Sequence, residues 1–276
     1  MAIALALMSA LLGGTADFLG GNVSKRLRAV AVIGLTQLAS AMALVAIAAV
    51  GRHFILDWSV VALGCGAGVT MLIGLASFYS ALASGTMGVV APIAALGVIV
   101  PLTWGLALGE TPQSLQVVGI LVALAGVFLS SGPELRGVAG VRPLLLACAA
   151  AVGFGSSMIF VAEGADTSPV MTLLVMKGFT VCLAIPFIRR QELSGLGAGV
   201  LFTLTVIAVT DIGANLCFAY ATTRGMVSIV AVLGSLYPVA TVLWARWLLG
   251  ERIALVQQIG VGVALSGVIL ISAGGV

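Results

Sequence analysis

Long apolar stretches alternate along the chain with short breaks that carry most of its charges, together with Gly and Pro. The breaks are Ser24-Lys25-Arg26, Gly51-Arg52-His53, Ser84-Gly85-Thr86, Gly109-Glu110-Thr111-Pro112, Gly132-Pro133-Glu134, residues 163–167, residues 189–192, Thr223-Arg224-Gly225 and Gly250-Glu251-Arg252. Between them the pattern predicts ten spans, near 2–22, 29–50, 59–83, 86–108, 114–131, 143–162, 168–188, 196–222, 226–248 and 254–274. Runs of about 20 apolar residues match a hydrocarbon core about 30 Å thick. In lipid the backbone has to satisfy its own hydrogen bonds, so each span is expected to be a helix.

The two halves repeat. Phe78, Gly85 and Trp104 recur 140 residues later as Phe218, Gly225 and Trp244. Further on the spacing becomes 141: Gly109-Glu110, Gln116, Gly119 and Gly126-Val127 recur as Gly250-Glu251, Gln257, Gly260 and Gly267-Val268. Each half holds five spans, and an odd number makes the second copy enter the bilayer from the opposite side. The predicted fold is an all-α polytopic membrane protein, ten transmembrane helices as two inverted five-helix repeats, 1–132 and 133–276. Inverted repeats that meet around a site near the midplane are the architecture of secondary transporters.

Composition sharpens this picture. Of the 276 residues, 61% are apolar and only 8% charged, against about 25% charged in ordinary soluble domains. So few charges cannot clothe a water-facing globule, and no length is left for a separate soluble domain. The net charge of +3 comes from Lys and Arg in the connections, which is a topology signal and gives no surface for nucleic acid. Cys65, Cys148, Cys182 and Cys217 fall within apolar stretches without metal-ligand spacing, so neither disulfides nor zinc is expected. Residues 1–22 lack a charged start and are expected to remain as the first span.

At the repeated Gly-Glu, Gln and Gly positions the sequence resembles the ten-helix EamA-like branch of the drug/metabolite transporter superfamily, over almost the whole chain. The resemblance implies a polytopic carrier of two five-helix repeats, typically exporting amino acids or related metabolites. Family members carry a Pro before each Gly-Glu. The second half has it in Tyr237-Pro238, whereas the first has Val98 there, flanked by Pro92 and Pro101, so the first half is expected to bend differently. The first-helix signature survives only as Leu12-Gly13-Gly14-Thr15, without the family's aromatic.

An ionisable group at mid-bilayer costs about 2.5–3.5 kcal/mol on insertion scales and calls for a partner, a wet cavity or a function. Asp17, in a glycine-flanked stretch, is a candidate for proton or cation coupling; it is also near enough to the span end to be solvated. Lys177 occupies the repeat position of Gln37, and in the family the matching place is commonly basic. It can hold an anionic substrate group, or pair with Asp17 or Asp211. Asp211 and Asn215, four apart, share a helix face and can bind an amine or join helices by hydrogen bonds. Tyr79, Tyr220 and Tyr237 are core or interface residues by default, with Tyr79 and Tyr237 candidates to line a substrate path. Glu110 and Glu251 are expected to serve the positive N-terminus of the following span. The small residues Gly119, Ala123 and Gly126, and Gly260, Ala264 and Gly267, are expected to form close-packing seams.

No catalytic constellation is visible: the sole His, His53, lies beside Arg52, and there is no Walker-type loop or metal-binding cluster. The chain is therefore expected to be no enzyme and to need no cofactor, with a proton gradient as the natural energy source for uphill transport. Its expected partners are a small-molecule substrate and the lipid bilayer, that of the plasma membrane if the cell is prokaryotic, and internal duplication makes a monomer sufficient. The odd-numbered connections carry most of the Lys and Arg, which places them in the cytoplasm and both termini outside; the resemblance implies both termini inside. The leading expectation is an exporter of amino acids or related polar metabolites working by alternating access, with Lys177 on an anionic group and Asp211 and Asn215 on an amino group. The alternative is efflux of small cationic drugs, with Asp17 as the cation site and Lys177 held away from substrate by pairing. A non-transporting scaffold would instead have its charges satisfy one another and leave no wet cavity.

Overall fold

The computed structural model describes residues 1–23, 27, 29–51, 57–84, 87–132, 141–184, 197–248 and 254–274. Lys25, Arg26, Arg28, Arg52, His53, Arg136, Arg189, Arg190, Glu251 and Arg252 lie outside the described residues. The described chain is helical: α1 (Ala2–Val23), α2 (Ala29–Gly51), α3 (Trp58–Ser84), α4 (Met87–Ala95), α5 (Ile99–Ala107) and α6 (Ser114–Ser130) make the first repeat. The second comprises α7 (Val141–Ala165), α8 (Pro169–Ala184), α9 (Ala198–Thr222), α10 (Val227–Gly234), α11 (Tyr237–Leu248) and α12 (Leu255–Ala273). Eight spans are long and apolar enough to cross a membrane, counting α4 with α5 and α10 with α11 as one each, and Ser114–Ser130 and Pro169–Ala184 are shorter apolar helices. These ten helices form the two inverted repeats of an integral, multi-pass membrane protein.

The fourth and ninth spans, read as continuous in the sequence, are each broken near the middle. A 3-10 turn over Leu96–Val98 separates α4 from α5. Ser235 and Leu236 separate α10 from α11 at the same repeat position. In the second half Pro238 sits at the start of α11, where its fixed φ suits a helix and its missing N–H costs nothing. In the first half, where Val98 replaces that Pro, the helical path is kept by the tighter turn, and buried Gly97 packs on the backbone of Ala151 in α7. The interruption takes a different form in each half: a 3-10 turn in the first and the Ser235-Leu236 step before Pro238 in the second.

Across the repeats α1 packs on α9, α3 on α7, α2 on α8 and α6 on α12. Small residues bring these backbones together. A Cβ on Gly126 would lie 2.6 Å from that of Ala264, and one on Gly267 would lie 2.8 Å from that of Ala123, so the expected seam is the α6–α12 interface. Gln116 and Gln257 accept from the backbone N–H of Gln113 (2.8 Å) and Ala254 (3.1 Å), so this repeated pair satisfies the N-termini of α6 and α12.

The repeated Gly-Glu also acquires a local cause. Gly109 has φ of 93°. The N–H groups of Gly109 and Glu110 donate to the carbonyls of Leu106 (3.1 Å) and Gly105 (3.0 Å), which closes α5 in a Schellman turn. That turn aims Glu110 away from α6: its carboxylate accepts from the backbone N–H of Val227 and of Ser228 (2.9 Å), the first residues of α10. Glu110 thus serves a helix N-terminus, but that of a helix in the other repeat and not the following span.

Candidate functional site: a charged cavity between the repeats

A cavity of about 230 Å³ lies where the two halves meet. From α1 come Ser9, Gly13, Ala16 and Asp17, at the i, i+4, i+7 and i+8 positions of one helical face. Asp211, Ala214, Asn215 and Phe218 face it from α9, and Gly234, Ser235 and Tyr237 from the break between α10 and α11. Met71 of α3, Met158 of α7 and Met176 of α8 complete an adaptable apolar wall. A larger hollow of about 400 Å³, between α3 and α7, is lined by the exposed Ile73 and Val152 and bears no charged group, so it belongs to the lipid-facing surface.

Glycine shapes the α1 side of the cavity. A Cβ on Gly14 would fall on the carbonyl of Tyr237 and 2.6 Å from the Cβ of Ala240. The crossing of α1 with α11 is tied by Thr241 Oγ1 donating to the Gly14 carbonyl (3.2 Å) and by Trp244 Nε1 donating to Thr15 Oγ1 (2.8 Å). The Gly-Gly-Thr that stands in the first-helix signature is therefore a contact surface for the broken ninth span. It places Asp17 one turn further along α1, exposed to the cavity while its neighbours Ala16 and Phe18 are buried.

Two of the sequence candidates, Lys177 and Asn215, come together on a third, Asp211. Lys177 Nζ donates to Asp211 Oδ2 at 2.7 Å, with the lysine side chain 3% exposed. Ser40 Oγ of α2 donates to the same oxygen at 3.3 Å, and Asn215 Nδ2 donates to Oδ1 at 3.0 Å and to the Asp211 carbonyl at 2.7 Å. A buried ammonium with one short carboxylate contact needs that partner, because breaking such a pair leaves an uncompensated charge in low dielectric. Asp17 is different: it has no hydrogen bond to any described residue, and it feels Asp211 across the cavity. Gln37, one turn from Ser40 on α2, has a buried Oε1 without a partner among the described residues. Tyr237 lines the cavity beside Asp17, Tyr220 lies away from it with Arg224 over its ring, and the side chain of Tyr79 lies outside the described residues.

Ser157 and Met71 were absent from the sequence candidates, although the repeat carries their signal. They lie 140 residues from Asp17 and Asp211 respectively, so both members of each pair face the same cavity. Ser40 carried a weaker signal, as a hydroxyl on the turn after Gln37. Met158 and Met176 gave none, because nothing in an apolar stretch marks which residues face a cavity.

Two inverted repeats, each with a broken helix and with polar groups converging between them near mid-span, are an arrangement that membrane transporters use. The EamA-like transporter family matches residues 1–132 and 141–273, and the chain belongs to that family, a membrane-transporter family of the drug/metabolite transporter superfamily. Among 29 solved chains that match, one protein crystal structure superposes with a TM-score of 0.80 at 18% identity, over 99% of this chain and 96% of that one; it speaks for the fold alone. No curated protein matches the chain.

Proposed function

We propose that this chain is a secondary transporter, without catalytic activity, that carries small polar solutes bearing an ammonium group through the central cavity by alternating access. Asp17 receives the ammonium. The observation that carries the reading is the contrast between two carboxylates in one cavity: Asp211 is occupied by Lys177, Ser40 and Asn215, whereas Asp17 is open to the cavity and has no hydrogen-bond partner among the described residues. A carboxylate that takes either a proton or a cation couples the two by competition, so a proton gradient can drive export. The scaffold alternative calls for satisfied charges and no cavity, and Asp17 supports neither.

Amino acids and related metabolites carry the required ammonium, and export of these is the second reading. It is favoured by the meeting of Lys177, Asp211 and Asn215 at one point. On this reading Lys177 has to leave Asp211 to take the substrate carboxylate.

The test is flux in liposomes containing the purified protein, with pooled labelled amines and amino acids, with and without a pH gradient, for wild type and Asp17→Asn. Saturable amine flux that responds to the gradient and is lost in Asp17→Asn is expected. Amine flux that persists in Asp17→Asn overturns the role of Asp17. Amino-acid flux lost in Lys177→Ala but retained in Asp17→Asn transfers the site to Lys177.

A further inference from the structure

The charges around the cavity bear on which solutes it admits, an inference that rests on the proposed function. Among the described residues Asp17 contributes one carboxylate, and Asp211 contributes a second that pairs with Lys177 at 2.7 Å. Lys177 is 3% exposed and does not line the cavity, whereas Asp211 does and is 24% exposed. The lysine is thus a counter-cation built in behind a carboxylate that solute can otherwise reach. Ser40 and Asn215 hold that carboxylate by its two oxygens, so it does not turn toward Asp17.

We propose that Lys177 sets the valence of the site: by neutralising Asp211 from behind, it leaves one open carboxylate, so the cavity accepts solutes with a single positive charge and rejects those with two. A second ammonium group has to displace Lys177 from Asp211, which strands a buried lysine without a partner. Lys177 is a specificity-determining residue on this account and touches no solute itself. Its repeat mate Gln37 is neutral, so the first repeat supplies no equivalent cation at that position.

The experiment compares binding of butylammonium and 1,4-diammoniobutane, probes of the same carbon skeleton, to protein in lipid nanodiscs at neutral pH. Wild type is expected to prefer the monocation. Lys177→Gln exposes the second carboxylate and moves the preference toward the dication by about tenfold, the effect of one unit charge about 10 Å away at an effective dielectric of about 20. Asp211→Asn frees the lysine charge and weakens monocation binding by a similar factor. These opposite signs separate a valence role from a structural one, which would weaken both probes in both variants. An unchanged preference in Lys177→Gln, or undiminished monocation binding in Asp211→Asn, overturns the proposal, and either variant alone suffices if the other fails to fold. Loss of Asp17 dependence in the wild-type background instead overturns the proposed function, so the two failures are distinguishable.

Discussion

Replacing Glu110 by Ala removes a contact that spans the two repeats. In the intact protein its carboxylate accepts from two backbone N–H groups at the start of α10, which have no carbonyl partner within their own helix. Loss of a capping side chain costs about 0.5–2 kcal/mol, and a charge on a helix N-terminus contributes about 0.3–1 kcal/mol more. The half-buried setting puts the sum near the middle of the combined range, at about 2 kcal/mol. For chains of this size that corresponds to a melting temperature lower by about 4–8 °C, measurable by thermal unfolding in detergent. Glu110→Gln keeps one acceptor oxygen and should lose about half as much. Gly105→Ala offers an independent route to the same loss: its Cβ would lie 2.8 Å from the Glu110 carboxyl carbon and 3.0 Å from the Ser228 nitrogen, displacing the carboxylate from its donors. That cost competes with a helix-propensity gain of up to about 1 kcal/mol, so the net drop should be smaller than for Glu110→Ala. If Glu110→Ala melts within about 1 °C of wild type, the cap contributes nothing and the reasoning fails.

The α6–α12 seam predicts opposite signs for two glycines: Gly126→Val meets the backbone of Ala264 and should destabilise by about 1–3 kcal/mol or more, whereas Gly20→Ala enters open space and should stabilise by up to about 1 kcal/mol. Equal melting shifts for the two variants would show that the seam does not control packing. Asp166, in the turn after α7, is raised above the usual carboxylate range by burial and then by the charge of Glu163. Its ionised form therefore costs stability above the folded-state pKa, and that cost vanishes as pH falls through it. Asp166→Asn should melt slightly higher than wild type at neutral pH and converge with it on acidification; a pH-independent gap would contradict the assignment.

Span positions were legible because a bilayer imposes a length on each apolar run, and inversion followed from counting five spans per repeat. Hydropathy is blind to a break inside an apolar run, however. Residues 86–108 and 226–248 read as single helices, yet a turn of three residues at 96–98 and the Ser235-Leu236 step divide them. Composition placed Asp17, Lys177 and Asp211 in the membrane interior but left their pairing open, because sequence gives depth along a helix and not which helices face each other. The same limit hid Glu110, whose partners lie 117 and 118 residues away. Gly119, Gly126, Gly260 and Gly267 were legible as packing residues because a backbone approach in lipid has few other solutions.

The pairs Asp17 with Ser157, and Asp211 with Met71, carry one further consequence. An assembly of two identical halves can place charges in its central chamber only in twos, whatever residue each half supplies. Joining the halves in one chain removes that parity: a carboxylate stands opposite a hydroxyl in one pair and a thioether in the other. An odd charge at the heart of the molecule is therefore available to this protein because its two halves are covalently one, and separating them into interchangeable copies would abolish it.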